Sequence, residues 1–112
     1  MYATINATSN NIPTTFGIGA GSLILNGAPS GGQLAIINTT TEDIIFTITA
    51  HPTTVPDDSV STNPHQFLVP AAPSGGTAAD THDKFKVTKG DRVFIKSAGS
   101  AATSGKVHAV IW

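Results

Sequence analysis

Residues 84–112 read KFKVTKGDRVFIKSAGSAATSGKVHAVIW, and their pattern decides the fold class. Phe85 and Val87 alternate with Lys84, Lys86 and Thr88, and beyond Thr88-Lys89-Gly90-Asp91 the residues Val93, Ile95 and Ser97 alternate with Arg92, Phe94 and Lys96. Successive side chains of a strand point to opposite faces, so a period of two marks a strand on each side of a tight turn. Gly90 stands where such a turn needs a positive φ. The stretch predicts a β-hairpin. After the small-residue loop AGSAATSG, residues 106–112 predict a closing strand that is apolar on both faces by its end, with Val107, Ala109 and Ile111 on one side and Val110 and Trp112 on the other.

The same pattern runs upstream. Residues 33–38 (QLAIIN) are apolar on both faces, as a central strand is. Residues 44–50 alternate Ile44, Phe46 and Ile48 with Ile45, Thr47 and Thr49, so 33–50 reads as a second hairpin around the turn TTTED. Residues 51–64 carry three prolines and no period, a long loop. Residues 66–69 predict a short strand, closed by Pro70 and a second long loop. Residues 2–8 and 22–26 predict two further strands, but FGIGAG between them weakens any regular structure. Residues 1–32 therefore have an alternative reading as an extended arm reaching a neighbour, with 33–112 as the core. No window carries a sustained helical stripe. The expectation is one all-β domain over 1–112, an antiparallel β-sandwich (jelly-roll or Ig-like) of seven or eight short strands with long Pro-rich loops.

Charge is segregated. All six bases (Lys84, Lys86, Lys89, Arg92, Lys96, Lys106) lie in 84–112, where Asp91 is the one acid, giving +5. Residues 1–83 carry Glu42, Asp43, Asp57, Asp58, Asp80 and Asp83 and no base, giving −6. In the predicted hairpin Lys84 and Lys86 share a face, as do Arg92 and Lys96, with Lys89 at the turn between them, so a basic ribbon could dock on an acidic partner or meet the acids of its own domain. Exposed ion pairs contribute only about 0–1 kcal/mol each, so stability alone does not explain the segregation. Charged residues make up 12% of the chain against a usual roughly 25%, and 25 Ser and Thr fill the difference. Such a surface suits a chain packed in an assembly better than a free monomer.

Chemistry is nearly silent. Without cysteine there is neither thiol chemistry nor a thiolate metal site. His51, His65, His82 and His108 lack metal-ligand spacing, and Asp57-Asp58 and Asp80-x-x-Asp83 lack the calcium-loop pattern, so turn and loop roles are expected of them. No G-x-S-x-G motif or ordered Ser/Asp/His set is present. The start MYATINATSN has no basic segment followed by an apolar run, and no stretch approaches the roughly 20 apolar residues of a membrane span, so neither an export signal nor a span is expected. A pI near 6.4 argues against nucleic acid as the partner.

From residue 33 onward the pattern resembles small structural proteins of tailed-bacteriophage virions. The matching features are LAIINTTTEDIIFTITAHP, the segment FKVTKGDRVFIKSA with its Gly90-Asp91-Arg92-Val93 step, and the closing VHAVIW. The resemblance implies a homo-oligomeric β-sandwich, dimer or trimer, in the virion. It would be a head-decoration (cement) or tail-associated protein without enzymatic activity or cofactor, seated on the major capsid protein or other virion subunits. A carbohydrate-binding module is the rival expectation. The residues expected to meet partners are Tyr2, Ile5, Phe16 and Ile18 near the start, Val55 in the Pro-rich loop, Lys84, Lys86, Arg92 and Lys96 of the basic block, and Val110 and Trp112 at the end.

Overall fold

In a computed structural model of the chain, which describes residues 2–49, 55–56, 66–71, 79–81 and 85–112, all regular structure is β. The strands are β1 (Tyr2–Asn6), β2 (Leu23–Asn26), β3 (Gly32–Asn38), β4 (Ile44–Thr49), β5 (Gln66–Val69), β6 (Ala79–Thr81), β7 (Lys86–Val87), β8 (Arg92–Ser97) and β9 (Lys106–Ile111). They form two antiparallel sheets. One runs β1-β9-β3-β6, with β7 also on β3; the other runs β2-β8-β4-β5. The chain is a small β-sandwich.

Alternation decides what lies between the sheets. Ile5 of β1, Leu34 and Ile36 of β3, and Val107, Ala109 and Ile111 of β9 face Ile24 and Leu25 of β2, Ile44 and Phe46 of β4, Val69 of β5, and Val93 and Ile95 of β8. An aromatic trio closes one side. Phe46 lies 5.4 Å from Phe67 and 5.2 Å from Phe85, and Phe67 and Phe85 are 4.4 Å apart in an edge-on arrangement. Such pairs are worth about 0.5–1.5 kcal/mol beyond their burial, and here they join β4 and β5 to the residue preceding β7 on the opposite sheet.

Neither expected hairpin forms. β3 pairs with β9 and β6 in one sheet while β4 pairs with β8 and β5 in the other, so residues 39–43 form an arch between the sheets. Likewise β7 pairs with β3, and β8 with β2 and β4. The tight turn between β7 and β8 is nonetheless present. Asp91 N–H donates to the Thr88 carbonyl at 3.0 Å, Asp91 Oδ2 accepts from Thr88 N–H at 2.8 Å, and Gly90 has φ of 93°. Ala28 fixes this turn from outside, donating to the Asp91 carbonyl and accepting from Gly90 N–H, both at 2.8 Å. The same turn chemistry serves a hairpin or an arch, and what differs is the neighbour each strand finds.

Residues 2–32 pack into the sandwich and do not form an arm. β1 pairs with β9 over five consecutive positions and β2 with β8. Between them Ile12 is fully buried and bridges Ala102, and Pro13 accepts a hydrogen bond from Ser97 N–H at 2.8 Å. Apolar side chains at Ile5, Ala7, Ile12 and Ile24 are enough to hold the segment in the core despite its glycines.

The arch after β3 is built on a buried amide. Asn38 points into the sandwich, where its Nδ2 reaches the carbonyls of Glu42 at 2.8 Å, Pro70 at 3.0 Å and Val69 at 3.3 Å. Its Oδ1 accepts from Thr40 N–H at 2.9 Å and lies 2.7 Å from Thr40 Oγ1, which also lies 2.9 Å from the Glu42 carbonyl. Asp43 extends the cluster: its carbonyl accepts from Ala98 N–H and its Oδ1 from Ala71 N–H. Gly105 fits against the same arch, with φ of 82° and room for no Cβ, which would meet the Thr39 carbonyl at 2.5 Å. Buried polar groups left unpaired cost about 1–3 kcal/mol each, so Asn38→Ala should destabilise by about 2–4 kcal/mol. Urea denaturation should show a lower midpoint with unchanged slope. A loss below about 0.5 kcal/mol would mean that the cluster does not hold the arch.

Candidate functional site

Among the described residues, the outer face of the first sheet gathers two of the exposed large apolar side chains, Tyr2 and Trp112. Backbone bonds establish its composition. Tyr2 lies opposite Val110 and Val110 opposite Ala35; Thr4 lies opposite His108 and His108 opposite Ile37. Trp112 exchanges backbone hydrogen bonds with Gln33 at 2.9 and 3.1 Å, which continues the ladder past β9. Because Ile5, Leu34, Ile36, Val107, Ala109 and Ile111 face the core, their neighbours Tyr2, Thr4, Ala35, Ile37, His108, Val110 and Trp112 face out. Tyr2 is 62% and Trp112 58% exposed. Across β1, β9 and β3 this face carries one formal charge, Lys106, at one end, and exposed Lys86 of β7, opposite Gln33, adds a second at the other.

His108 occupies the middle. Its Nδ1 lies 2.6 Å from the Tyr2 hydroxyl and 3.0 Å from Thr4 Oγ1, and the Tyr2 ring tilts over the imidazole at 5.2 Å between centroids. A ring carrying its proton on Nε2 accepts from these hydroxyls; protonation turns Nδ1 into a donor and reverses the arrangement. Burial first, and the Lys106 ammonium second, hold the His108 pKa below its ordinary 6.5. The imidazole is thus kept neutral, and it orients Tyr2 on the face.

The residues expected to meet partners divide. Tyr2, Val110 and Trp112 share this face, Tyr2 and Trp112 exposed and Val110 half-buried. Ile18, 66% exposed, and Val55 are exposed elsewhere. Ile5 and Phe16 are buried and spent on the protein's own packing. Among the described residues the bases do not form one ribbon. Lys86 is exposed on β7 beside β3, whereas Arg92 and Lys96 belong to the other sheet. Lys96 is buried, its ammonium 4.9 Å from the centroid of the Phe16 ring, a cation–π contact beneath residues 13–22. Lys84 lies outside the described residues, as do His51, His65, His82, Asp57, Asp58, Asp83 and most of both long loops.

Among the described residues no three of His, Asp and Glu gather as metal ligands would, and no helix is long and apolar enough to cross a membrane. No family model, no curated protein and no solved structure matches the chain. His108 as the centre of the face is the feature that sequence reasoning missed. The signal was present, since His108, Val110 and Trp112 occupy alternate positions of the last strand.

The depressed His108 pKa has a consequence for stability. The unfolded imidazole binds its proton at a higher pH than the folded one, so stability rises with pH across this window. The contribution is fully present above about pH 6.5, falls as pH drops through it, and levels off below the folded value. Melting temperatures from pH 7.5 to 5.5 should decline more for the wild type than for His108→Gln. Parallel curves would show that His108 carries no such linkage.

Proposed function

We propose that the chain is a non-enzymatic structural protein of a bacteriophage virion, a decoration or cement protein. It acts by burying its first-sheet outer face at joints between capsid subunits. The observation that carries this reading is the sparsely charged face bearing exposed Tyr2 and Trp112 with half-buried Val110 beside them. The sequence resemblance supplies the virion context. Attachment confined to the assembled shell stabilises that shell by mass action, and no catalytic group is needed for it. The partner is the major capsid protein or another virion subunit, met by copies of this chain acting as a homo-oligomer.

A second reading rests on the same two aromatics. Trp112 and Tyr2 are separated by one strand laterally and two residues along β9, roughly 8 Å between Cα atoms. Exposed rings so placed on a flat sheet could stack on sugar rings, as in a tail-associated or carbohydrate-binding module.

Co-sedimentation with assembled shells encoded by the same genome decides between them. Trp112→Ala should weaken attachment by roughly 30-fold, the effect of losing an anchor worth about 2 kcal/mol. Arg92→Ser, on the other sheet, should change little, and attachment should weaken only modestly with salt, because this face carries just Lys86 and Lys106 at its ends among the described bases. Wild-type protein that stays in the supernatant while binding a glycan array through Trp112 would replace the first reading with the second.

A further inference from the structure

We propose that β1 is a dimerisation edge, pairing antiparallel with β1 of a second copy about a two-fold axis at Thr4. This deepens the homo-oligomer part of the reading above, naming the surface through which copies meet.

The backbone ladder shows which groups β1 leaves over. Ala7 N–H donates to the Gly105 carbonyl at 2.9 Å, and β1 pairs with β9 in unbroken antiparallel register. In such a ladder alternate residues point their N–H and C=O at the partner strand, so Ala3 and Ile5, in phase with Ala7, point at β9. Tyr2, Thr4 and Asn6 point the other way. β1 is the end of its sheet, and Thr4 at the centre of this edge is exposed. The Asn6 carbonyl is partly engaged by Asn10 N–H at 2.9 Å; the groups of Tyr2 and Thr4 have no strand beside them among the described residues.

An open edge normally carries a guard: a charge, a proline, or a bulge that twists it away. β2, the adjacent edge of the other sheet, carries one, since its register shifts between Leu23 and Leu25. β1, YATIN, carries none. It has no charge and no proline, and its five pairs with β9 are regular.

A second copy is the occupant that satisfies this edge best. With the axis at Thr4, Thr4 faces Thr4 of the partner copy and Tyr2 faces its Asn6, so each outward N–H meets an outward carbonyl. No like charges are opposed, because the strand has none, and threonines opposite one another are a favourable cross-strand pair. An isologous two-fold contact is also the commonest form of assembly. The axis stands perpendicular to the sheet, so both Tyr2–Trp112 faces look the same way. One dimer would present two docking faces to one partner surface, raising avidity without new contacts.

The absence of cysteine gives a clean test. Opposed Thr4 Cα atoms would be about 5.5 Å apart, within the span of a disulfide. Those of Tyr2 and its copy would be roughly 13 Å apart. In the full chain, Thr4→Cys should crosslink rapidly under mild oxidation and Tyr2→Cys should not. Thr4→Pro removes the outward N–H, which an edge strand tolerates. It should sediment as a folded monomer where the wild type sediments as a dimer, while Thr4→Val stays dimeric. Should Thr4→Pro fail to fold, Thr4→Lys sets two ammoniums face to face on the axis and should abolish the dimer equally.

A dimer indifferent to these changes, or equal crosslinking through Tyr2→Cys, would overturn the edge and leave the homo-oligomer standing. A wild type that is monomeric at every concentration and does not crosslink through Thr4→Cys would overturn both. Crosslinking of Thr4→Cys only to a different chain would replace the second copy with strand addition by a foreign partner. Shell attachment by the wild type against Trp112→Ala, which changes no group of β1, reads the docking proposal independently of all three.

Discussion

The buried amide of Asn38 is the contact on which the arrangement of the two sheets rests. It is a polar group facing the apolar interior from a strand whose other inward residues are Leu34 and Ile36. Placed there alone it would be costly. It is sustained because the arch after β3 and the end of β5 both turn carbonyls toward it, and Thr40 supplies the donors its oxygen needs. The cluster thereby commits the chain to cross from one sheet to the other at that point, where an apolar residue would leave those carbonyls unpaired. Thr39 fastens the same arch to the start of β9, exchanging bonds with Lys106 through both backbone and hydroxyl.

Once that crossing is made, the outer face follows. β3 cannot pair with β4, so it is free to take β9, and β9 in turn takes β1. The face that results draws its residues from the two ends of the chain. Tyr2 comes to lie near Trp112 only because β1 pairs with β9, and His108 acquires its hydroxyl partners only through β1. The candidate docking face and the open edge of β1 are therefore consequences of one topological choice.

Much of this protein was legible in residue order. The two-sided apolar run at 33–38 and the alternation at 44–49, 92–97 and 106–111 marked the strands that were found there, and the lack of any helical stripe marked the all-β class. The turn at Thr88-Lys89-Gly90-Asp91 formed as glycine chemistry predicts. Trp112 at the end of a strand apolar on both sides led directly to the exposed face. What misled was the inference from adjacency. Two strands joined by a short turn usually pair, yet here both such pairs split between sheets. The charge pattern misled for a related reason: Lys96 alternates correctly with Ile95 and Ser97, but Phe16, from far upstream, covers it.

Sequence by itself thus determined what each residue's neighbours along the chain can impose: strand or turn, which side chains share a face, and the absence of thiol chemistry. Only the tertiary structure decided which strands lie side by side. Backbone N–H and C=O groups are the same at every position, so pairing leaves no mark in the local pattern. Side-chain alternation is satisfied equally well by a hairpin and by an arch. The choice fell to groups distant in sequence, the Asn38 amide against the carbonyls of Val69 and Pro70 and the apolar face of β9 against both β1 and β3.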